Sequence, residues 1–186
     1  MANARIEENE RLAAQLRDPA TVRTAFNEVI KLYSEPLYWQ IRRMVGDHED
    51  ANDLLQNTFL KAWGSIENFR GEAKLSTWLY KIAINESLTF LEKEKKRNSV
   101  SLDDSEASAA HTLTADSNID GDELAEMLRR AVSTLPEKQR LVFNMKYFDD
   151  MKYEQISEIL GTSVGALKAS YHLATKRIEH FFNGND

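Results

Sequence analysis

Apolar side chains recur every three or four residues through most of this 186-residue chain, which is the spacing of amphipathic helices. In the first half this pattern predicts four helices, over about residues 19–33, 36–45, 49–63 and 76–97. Gly46 suits the end of the second helix and Asp47 suits the N-cap of the third. In the second half it predicts four more, over about 122–133, from 136 to about 148, 153–160 and 164–182. The sequence therefore predicts an all-α fold.

The segment 98–121 has neither helical nor strand periodicity and is rich in Ser, Ala, Asp and Thr. We interpret it as a flexible linker between a helical module at 1–97 and a smaller one at 122–186. The linker carries five acidic and no basic side chains, so most of the net charge of −6 is concentrated there. The two modules have net charges of 0 and −1, which leaves room for basic patches that bind phosphate.

Several classes of function are disfavoured by composition. The chain has no cysteine, which excludes disulfides and thiolate metal sites. The polar N-terminus is no signal peptide, and no apolar run approaches the ~20 residues of a membrane span. We expect a soluble, cytoplasmic protein without cofactor, metal or small-molecule substrate. It is not expected to be an enzyme, because no phosphate-binding glycine loop or nucleophile–base pair occurs.

The last two predicted helices have the spacing of a helix-turn-helix. Only Gly161-Thr162-Ser163 separates them, with glycine suited to the left-handed turn and serine to the cap of the second helix. In a DNA-binding helix-turn-helix the second helix enters the major groove. An ordinary helical hairpin has the same local pattern, but the outward positions favour DNA: Lys168, Ser170, Tyr171, His172, Lys176 and Arg177.

A second candidate site combines cations, aromatics and amides around residues 68–85. A base that leaves the stack requires an aromatic or apolar pocket, an amide at its edge and cations on its backbone. Trp78 also lies on the apolar stripe, so a plain core role stays open, and Asn85 alone fits a solvated position. The set is Asn68, Phe69, Arg70, Gly71, Lys74, Trp78, Lys81 and Asn85.

The helix over 49–63 has an acidic start. His48, Glu49, Asp50 and Asp53 do not complete a metal shell, and acids at a helix N-terminus are explained by the helix dipole. Asp50, Asp53, Gln56 and Asn57 share the face opposite the apolar stripe, which suits docking of a basic partner.

Three segments together resemble a sigma factor of the extracytoplasmic-function (ECF) type, in the sigma-70 family. DHEDANDLLQNTFLKAW at 47–63 is similar to the family's helix that binds core RNA polymerase. FRGE…TWLYKIAIN at 69–85 is similar to its −10 recognition loop and helix. LPEKQR at 135–140 with the helix-turn-helix is similar to its −35 module. The match covers about residues 22–97 and 122–182.

The resemblance implies a promoter-specific initiation factor that binds core RNA polymerase through the β′ coiled coil and the β flap. It also implies passage of the acidic linker through a cationic RNA channel and restraint by an anti-sigma factor. The implied polymerase-binding residues are Asp50, Asp53, Gln56, Asn57 and Phe59. The implied −10 residues are Asn68, Phe69, Arg70, Gly71, Lys74, Ser76, Thr77, Trp78, Lys81 and Asn85. The implied −35 residues are Ser163, Gly165, Ala166, Lys168, Ala169, Ser170, His172, Lys176 and Arg177.

The sequence departs from the family at Ser170 and Leu173, where basic residues are frequent, and at Ser157, where alanine is common. These departures concern the −35 sequence and not the role of the module. Residues 5–18 lie outside the resemblance, and we predict only a helical extension there. Two alternatives stay open: a helix-turn-helix regulator that does not bind the polymerase core, and a helical adaptor without a DNA role.

Overall fold

The computed structural model describes residues 2–71, 73–101 and 123–184, and every regular element within them is a helix. The chain divides into two compact units, Met1–Ser108 (unit 1) and Ala109–Asp186 (unit 2). The prediction of an all-α fold is confirmed. Residues 102–121 of the predicted linker lie outside the described residues. None of the described helices is long and apolar enough to cross a membrane.

Unit 1 contains four α-helices. They are α1 (Ala2–Gln15), α2 (Val22–Val45), α3 (His48–Gly64) and α4 (Leu75–Ser101), with a 3-10 turn at Ile66–Asn68. Helices α2, α3 and α4 pack against one another, and α1 packs on α2 and α4. Their shared core is made of side chains that are almost completely buried: Leu12, Val29, Leu37, Ile41, Leu79 and Ile84. The extension predicted at the N-terminus is helical and belongs to this core.

The prediction of two helices over 19–33 and 36–45 is wrong, because α2 is continuous with Pro36 inside it. A proline within a helix removes one backbone hydrogen bond and crowds the preceding turn, which costs about 3 kcal/mol. Tyr33, Leu37 and Ile41 on either side of Pro36 are buried. Their burial, at roughly 1.5–3 kcal/mol for each large apolar side chain, offsets the cost of the proline. The predicted stop at Gly46 is confirmed by its left-handed φ of 83°.

Helix α3 begins where the sequence predicts. The Asp47 carboxylate accepts the backbone N–H groups of Glu49 at 2.8 Å and Asp50 at 3.0 Å. These bonds, that from Asp50 first, lower the pKa of Asp47. Helix α4 ends later than predicted, since it continues through Ser101 into the first residues assigned to the linker. No glycine or proline stops it between 98 and 101.

Unit 2 contains α5 (Glu123–Ser133), α6 (Glu137–Phe143), α7 (Tyr153–Leu160) and α8 (Val164–Phe182). The predicted bounds of α7 and α8 are confirmed. Helices α5, α6 and α7 all pack on α8. Ala131, Val132, Leu135, Phe143 and Ala174 belong to one buried cluster, which holds α8 by a single face.

Helix α6 continues as a π-helical turn, Asn144–Phe148, which the sequence did not predict. The wider turn changes the phase of the side chains. Met145 is fully buried as expected, but Tyr147 and Phe148, one of which was predicted to face the core, are 53% and 39% exposed. The Phe143 ring lies in stacking geometry with Tyr147 at 5.1 Å and with Tyr171 of α8 at 5.7 Å.

Candidate nucleic-acid interface

The turn between α7 and α8 has the geometry that the sequence predicts. Gly161 has a φ of 63°, and its N–H bonds the carbonyl of Ser157 at 2.9 Å. The Ser163 hydroxyl then accepts the N–H of Ala166 at 3.3 Å, which caps α8. Ile156 and Leu167 are buried on either side of the turn. The predicted helix-turn-helix is confirmed as a structure.

The outward face of α8 is open to solvent. Its first turn presents only small side chains, which allow close approach of the helix backbone to a partner. Lys168, Lys176 and Arg177 supply positive charge further along the helix. The predicted −35 residues that are exposed are Ser163, Gly165, Ala166, Lys168, Ala169, His172, Lys176 and Arg177. Ser170 is half-buried.

Two lysines approach the ring of Tyr153, at the start of α7. The Lys146 Nζ lies 5.5 Å from the ring centroid and the Lys168 Nζ lies 5.8 Å from it, both within the range of a cation–π interaction. The Lys146 ammonium also donates to the carbonyl of Met151 at 3.0 Å. Burial raises the pKa of Tyr153, as does the neighbouring Tyr171. The result is a pair of positioned cations, Lys146 on the π-helical turn and Lys168 on α8.

Sequence reasoning missed Lys146 and Tyr153. They are seven positions apart, on different elements, and they meet only because the π-helical turn and the following bend bring them together. No local periodicity indicates that contact.

In unit 1, residues 65–74 form the connection between α3 and α4. Its 3-10 turn is followed by Phe69, which is 4% exposed and lies against Trp78 with ring centroids 4.9 Å apart. Gly71 has a φ of 75°, which is a conformation that glycine adopts without a Cβ clash. Phe69 thus anchors the loop from inside, and its polar residues stay outside.

The exposed side of this loop continues along α4. Lys74, Trp78, Lys81 and Asn85 follow one another at spacings of three and four residues, so they share one helix face. Asn68, Arg70, Gly71, Lys74, Lys81 and Asn85 are exposed, while Ser76 and Trp78 are half-buried. The structure therefore brings most of the predicted −10 set together on one surface, which we call the 68–85 surface.

Three predicted contact residues have little surface to offer a partner. Phe59, Phe69 and Thr77 are 9%, 4% and 4% exposed. Phe59 packs edge-on to Phe26 at 6.4 Å, and Phe69 packs on Trp78. Their placement on contact surfaces needs correction: all three belong to the interior of unit 1, and two of them are aromatic residues on its apolar stripes.

Asp50, Asp53, Gln56 and Asn57 lie on the outward side of α3, with Asp50 half-buried and the others exposed. Burial raises the pKa of Asp50, and the nearby charges of Asp47, Glu94, Asp53 and Glu49 raise it further. Carboxylates that repel one another in this way are stabilised by an approaching cation. The face is suited to a basic partner.

Between α3 and α4 lies an open groove of about 690 Å³, the α3–α4 groove. It is lined by Asn57, Leu60, Lys61, Gly64, Ser65, Ile82, Asn85 and Glu86. Lys61 pairs with Glu86 across it, and Leu60 is 68% exposed. The groove joins the acidic face, through Asn57, to the 68–85 surface, through Asn85. The sequence did not single out Leu60, since a lone apolar residue on a polar face carries little signal.

The sequence matches two family descriptions. Residues 29–97 match sigma-70 region 2, and residues 125–178 match sigma-70, region 4. Together they cover more than half of the chain, and each falls within one structural unit. The chain belongs to the sigma-70 family.

Similar full-length proteins place this sigma factor in the ECF group. It is 31% identical over 159 residues to ECF RNA polymerase sigma factor SigW of Bacillus subtilis, covering 80% of this chain and 83% of that protein. It is 29% identical over 184 residues to the ECF RNA polymerase sigma-E factor of Haemophilus influenzae, covering 91% of this chain and 97% of the other. The function is therefore promoter-specific initiation with RNA polymerase. A helix-turn-helix regulator without polymerase binding does not account for the region 2 match.

Solved structures show the same fold. The sigma factor RpoE, in complex with the anti-sigma factor NepR from Bartonella quintana, superimposes with a TM-score of 0.71 at 22% identity, covering 87% of this chain and 98% of that one. CnrH, in complex with the cytosolic domain of CnrY, gives 0.69 at 18% identity, covering 96% and 99%.

Proposed function

We propose that the 68–85 surface of this ECF sigma factor binds unpaired bases of the −10 element and that α8 binds the −35 element as duplex. The observation that carries the proposal is the exposure of both polar surfaces within the segments that match regions 2 and 4. In each unit the apolar face packs inward, and the polar face is left for a partner.

At the −10 element, a flipped base enters the loop 68–76. Asn85 contacts base edges through its amide, which both donates and accepts. Lys74 and Lys81 bind the backbone, and the half-buried Trp78 supports the loop from beneath. Because these groups contact only unpaired DNA, they stabilise the melted state and shift the opening equilibrium without covalent chemistry. The sigma factor is not itself an enzyme in this proposal.

At the −35 element, the first turn of α8 enters the major groove. Gly165, Ala166 and Ala169 permit close approach, while Lys168 and His172 reach base edges and phosphates. Lys176 and Arg177 lie further from the capped end and contact the backbone. Base specificity depends on the first turns of α8, and affinity depends on the cations.

Lys146 adds a phosphate contact in this proposal, because its ammonium is held beside Lys168 by the ring of Tyr153. Lys146→Ala is expected to weaken binding of holoenzyme to −35 duplexes about equally for every sequence. The slope of log affinity against log salt should fall by about 0.9, the value for one phosphate contact. Titrations at several salt concentrations measure this slope.

Lys138→Ala is the matched control for that titration, since it removes an exposed lysine from α6. An unchanged slope for Lys146→Ala, or a loss restricted to one −35 sequence, would show that Lys146 does not contact phosphate.

The acidic face of α3 docks on the β′ coiled coil of the polymerase, and unit 2 binds the β flap. Free in solution, the net charge of −6 opposes DNA binding. Once both units are bound to the polymerase, weak contacts at the two elements combine through high effective concentration. The sigma factor acts where the polymerase is, in the cytoplasm, and an anti-sigma factor restrains it, as the titles of the solved relatives describe for those proteins.

Run-off transcription with purified core polymerase tests the proposal. We expect promoter-dependent transcripts only when the sigma factor is added, and their loss when either promoter element is replaced. Transcripts that do not depend on the added chain would contradict it, as would duplex binding by a dimer in the absence of polymerase.

A further inference from the structure

The region 2 match begins at residue 29, yet helix α1 is an integral part of unit 1. Leu12 and Leu16 are 0% and 3% exposed. The Tyr33 hydroxyl on α2 donates to the Asn9 Oδ1 at 2.6 Å. These contacts fix α1 on the core, so the residues that follow it are also held in place.

Arg17 lies immediately after α1, and the turn there is well bonded. The Thr21 hydroxyl donates to the carbonyl of Gln15 at 2.8 Å, and the Arg17 backbone N–H bonds the carbonyl of Ala14 at 3.2 Å. The Arg17 side chain then bends back, with its Nε donating to the carbonyl of Ala13 at 3.2 Å. Two of these bonds restrain Arg17 itself, and its guanidinium has a defined direction.

That direction leads to the loop 68–76. The Arg17 Nη1 lies 3.5 Å from the carbonyl oxygen of Arg70, at hydrogen-bonding distance. The guanidinium also lies against Gly71, where a Cβ would be 3.5 Å from the Arg17 Cζ. A residue outside the family match thus contacts the backbone of the loop at its left-handed glycine.

We propose that Arg17 is a positioning residue for the loop 68–76 and that it preorganises the loop for base capture. The inference rests on the proposed function of that loop. Phe69 holds the loop from the interior, and Arg17 holds its backbone at Arg70 and Gly71 from the outer side. A loop that is ordered before DNA binds pays less conformational entropy at capture.

Native-state cleavage of the full chain with trypsin tests the contact directly, because Arg70 and Lys74 are exposed cleavage sites within the loop. Arg17→Ala is expected to speed cleavage after Arg70 and Lys74 about fivefold, the effect of losing one net hydrogen bond. Cleavage after Lys81, within α4, should not change. This difference separates local loosening of the loop from unfolding of unit 1.

Two further variants complete the test. Arg23→Ala removes an exposed arginine from the first turn of α2 and should leave cleavage unchanged. Arg17→Lys keeps the charge but loses the planar guanidinium, so it should restore only part of the protection. In run-off transcription, Arg17→Ala should lower promoter opening about fivefold, in step with the loss of loop order, while polymerase affinity is unchanged.

Unchanged cleavage of Arg17→Ala after Arg70 and Lys74 would overturn the inference. So would faster cleavage without any loss of promoter opening, or full recovery of opening by Arg17→Lys while the loop stays loose, since this would make Arg17 a DNA contact. If Arg17→Ala loosens the loop but the wild-type chain gives no promoter-dependent transcripts, the contact stands and the proposed function of the loop fails.

Discussion

Asp53→Lys is expected to lower the affinity for core RNA polymerase at least ~30-fold, because reversing a charge opposite a basic partner costs about 2 kcal/mol or more. Asp53 is exposed on the outward side of α3, in the most acidic part of unit 1. The carboxylate repulsion that raises the pKa of Asp50 shows how dense the negative charge is at this face. Competition for core polymerase against a labelled wild-type chain measures the change.

Glu35→Lys is the matched control, since it makes the same change of charge at an exposed position on α2. It should bind polymerase as the wild type does. Equal losses for the two variants would mean that net charge governs the affinity and that α3 is not the docking face. A normal affinity for Asp53→Lys would place the polymerase contact elsewhere on unit 1.

Asn85→Ala is expected to reduce promoter opening about tenfold or more while leaving polymerase affinity unchanged. A good amide-to-base pair contributes ~1–3 kcal/mol, and the alanine variant loses it without disturbing the core, because Asn85 is exposed. Binding of holoenzyme to a single strand that carries the −10 sequence should weaken by a similar factor. Permanganate reactivity of unpaired thymines measures the opening.

Asn27→Ala removes an exposed amide from α2 and should have no effect on opening. Asn85 also lines the α3–α4 groove, next to residues of the acidic face. If Asn85→Ala loses the polymerase in a pull-down, the groove is a polymerase contact and the division of labour between the two surfaces is wrong.

Local signals in the sequence were sufficient for the helix-turn-helix. Gly161 and Ser163 determine the turn and the cap through their own backbone and side chain, so α7 and α8 begin and end where the pattern predicts. The same holds for Asp47 at the start of α3. In each case the bonds that fix the boundary join residues no more than four positions apart.

Tertiary packing decided the features that the sequence did not predict. Pro36 is a strong local signal for a break, but the buried side chains around it keep α2 continuous. An aromatic in a polar loop suggests a base-stacking residue, whereas Phe69 is buried against Trp78. Arg17 and Arg70 are 53 residues apart, and their contact depends on the packing of α1, which no periodicity reveals.

The same limit applies to the exposed surfaces. Helical spacing correctly predicted that Lys74, Lys81 and Asn85 share a face, because that follows from the helix alone. The pairing of Lys146 with Lys168 across Tyr153 required the π-helical turn, which has no sequence signature of its own.

Transcription from a library of templates with randomised upstream sequence tests the account most directly, with core polymerase and the wild-type, Asn85→Ala or Lys168→Ala chain. Sequencing of transcript 5′ ends and their templates should show two enriched elements at a fixed spacing for the wild type. Asn85→Ala should weaken enrichment only at the element near the start site, and Lys168→Ala only at the upstream one. Equal loss at both elements for either variant, or no enrichment above that of core polymerase alone, would contradict the assignment of one element to each unit.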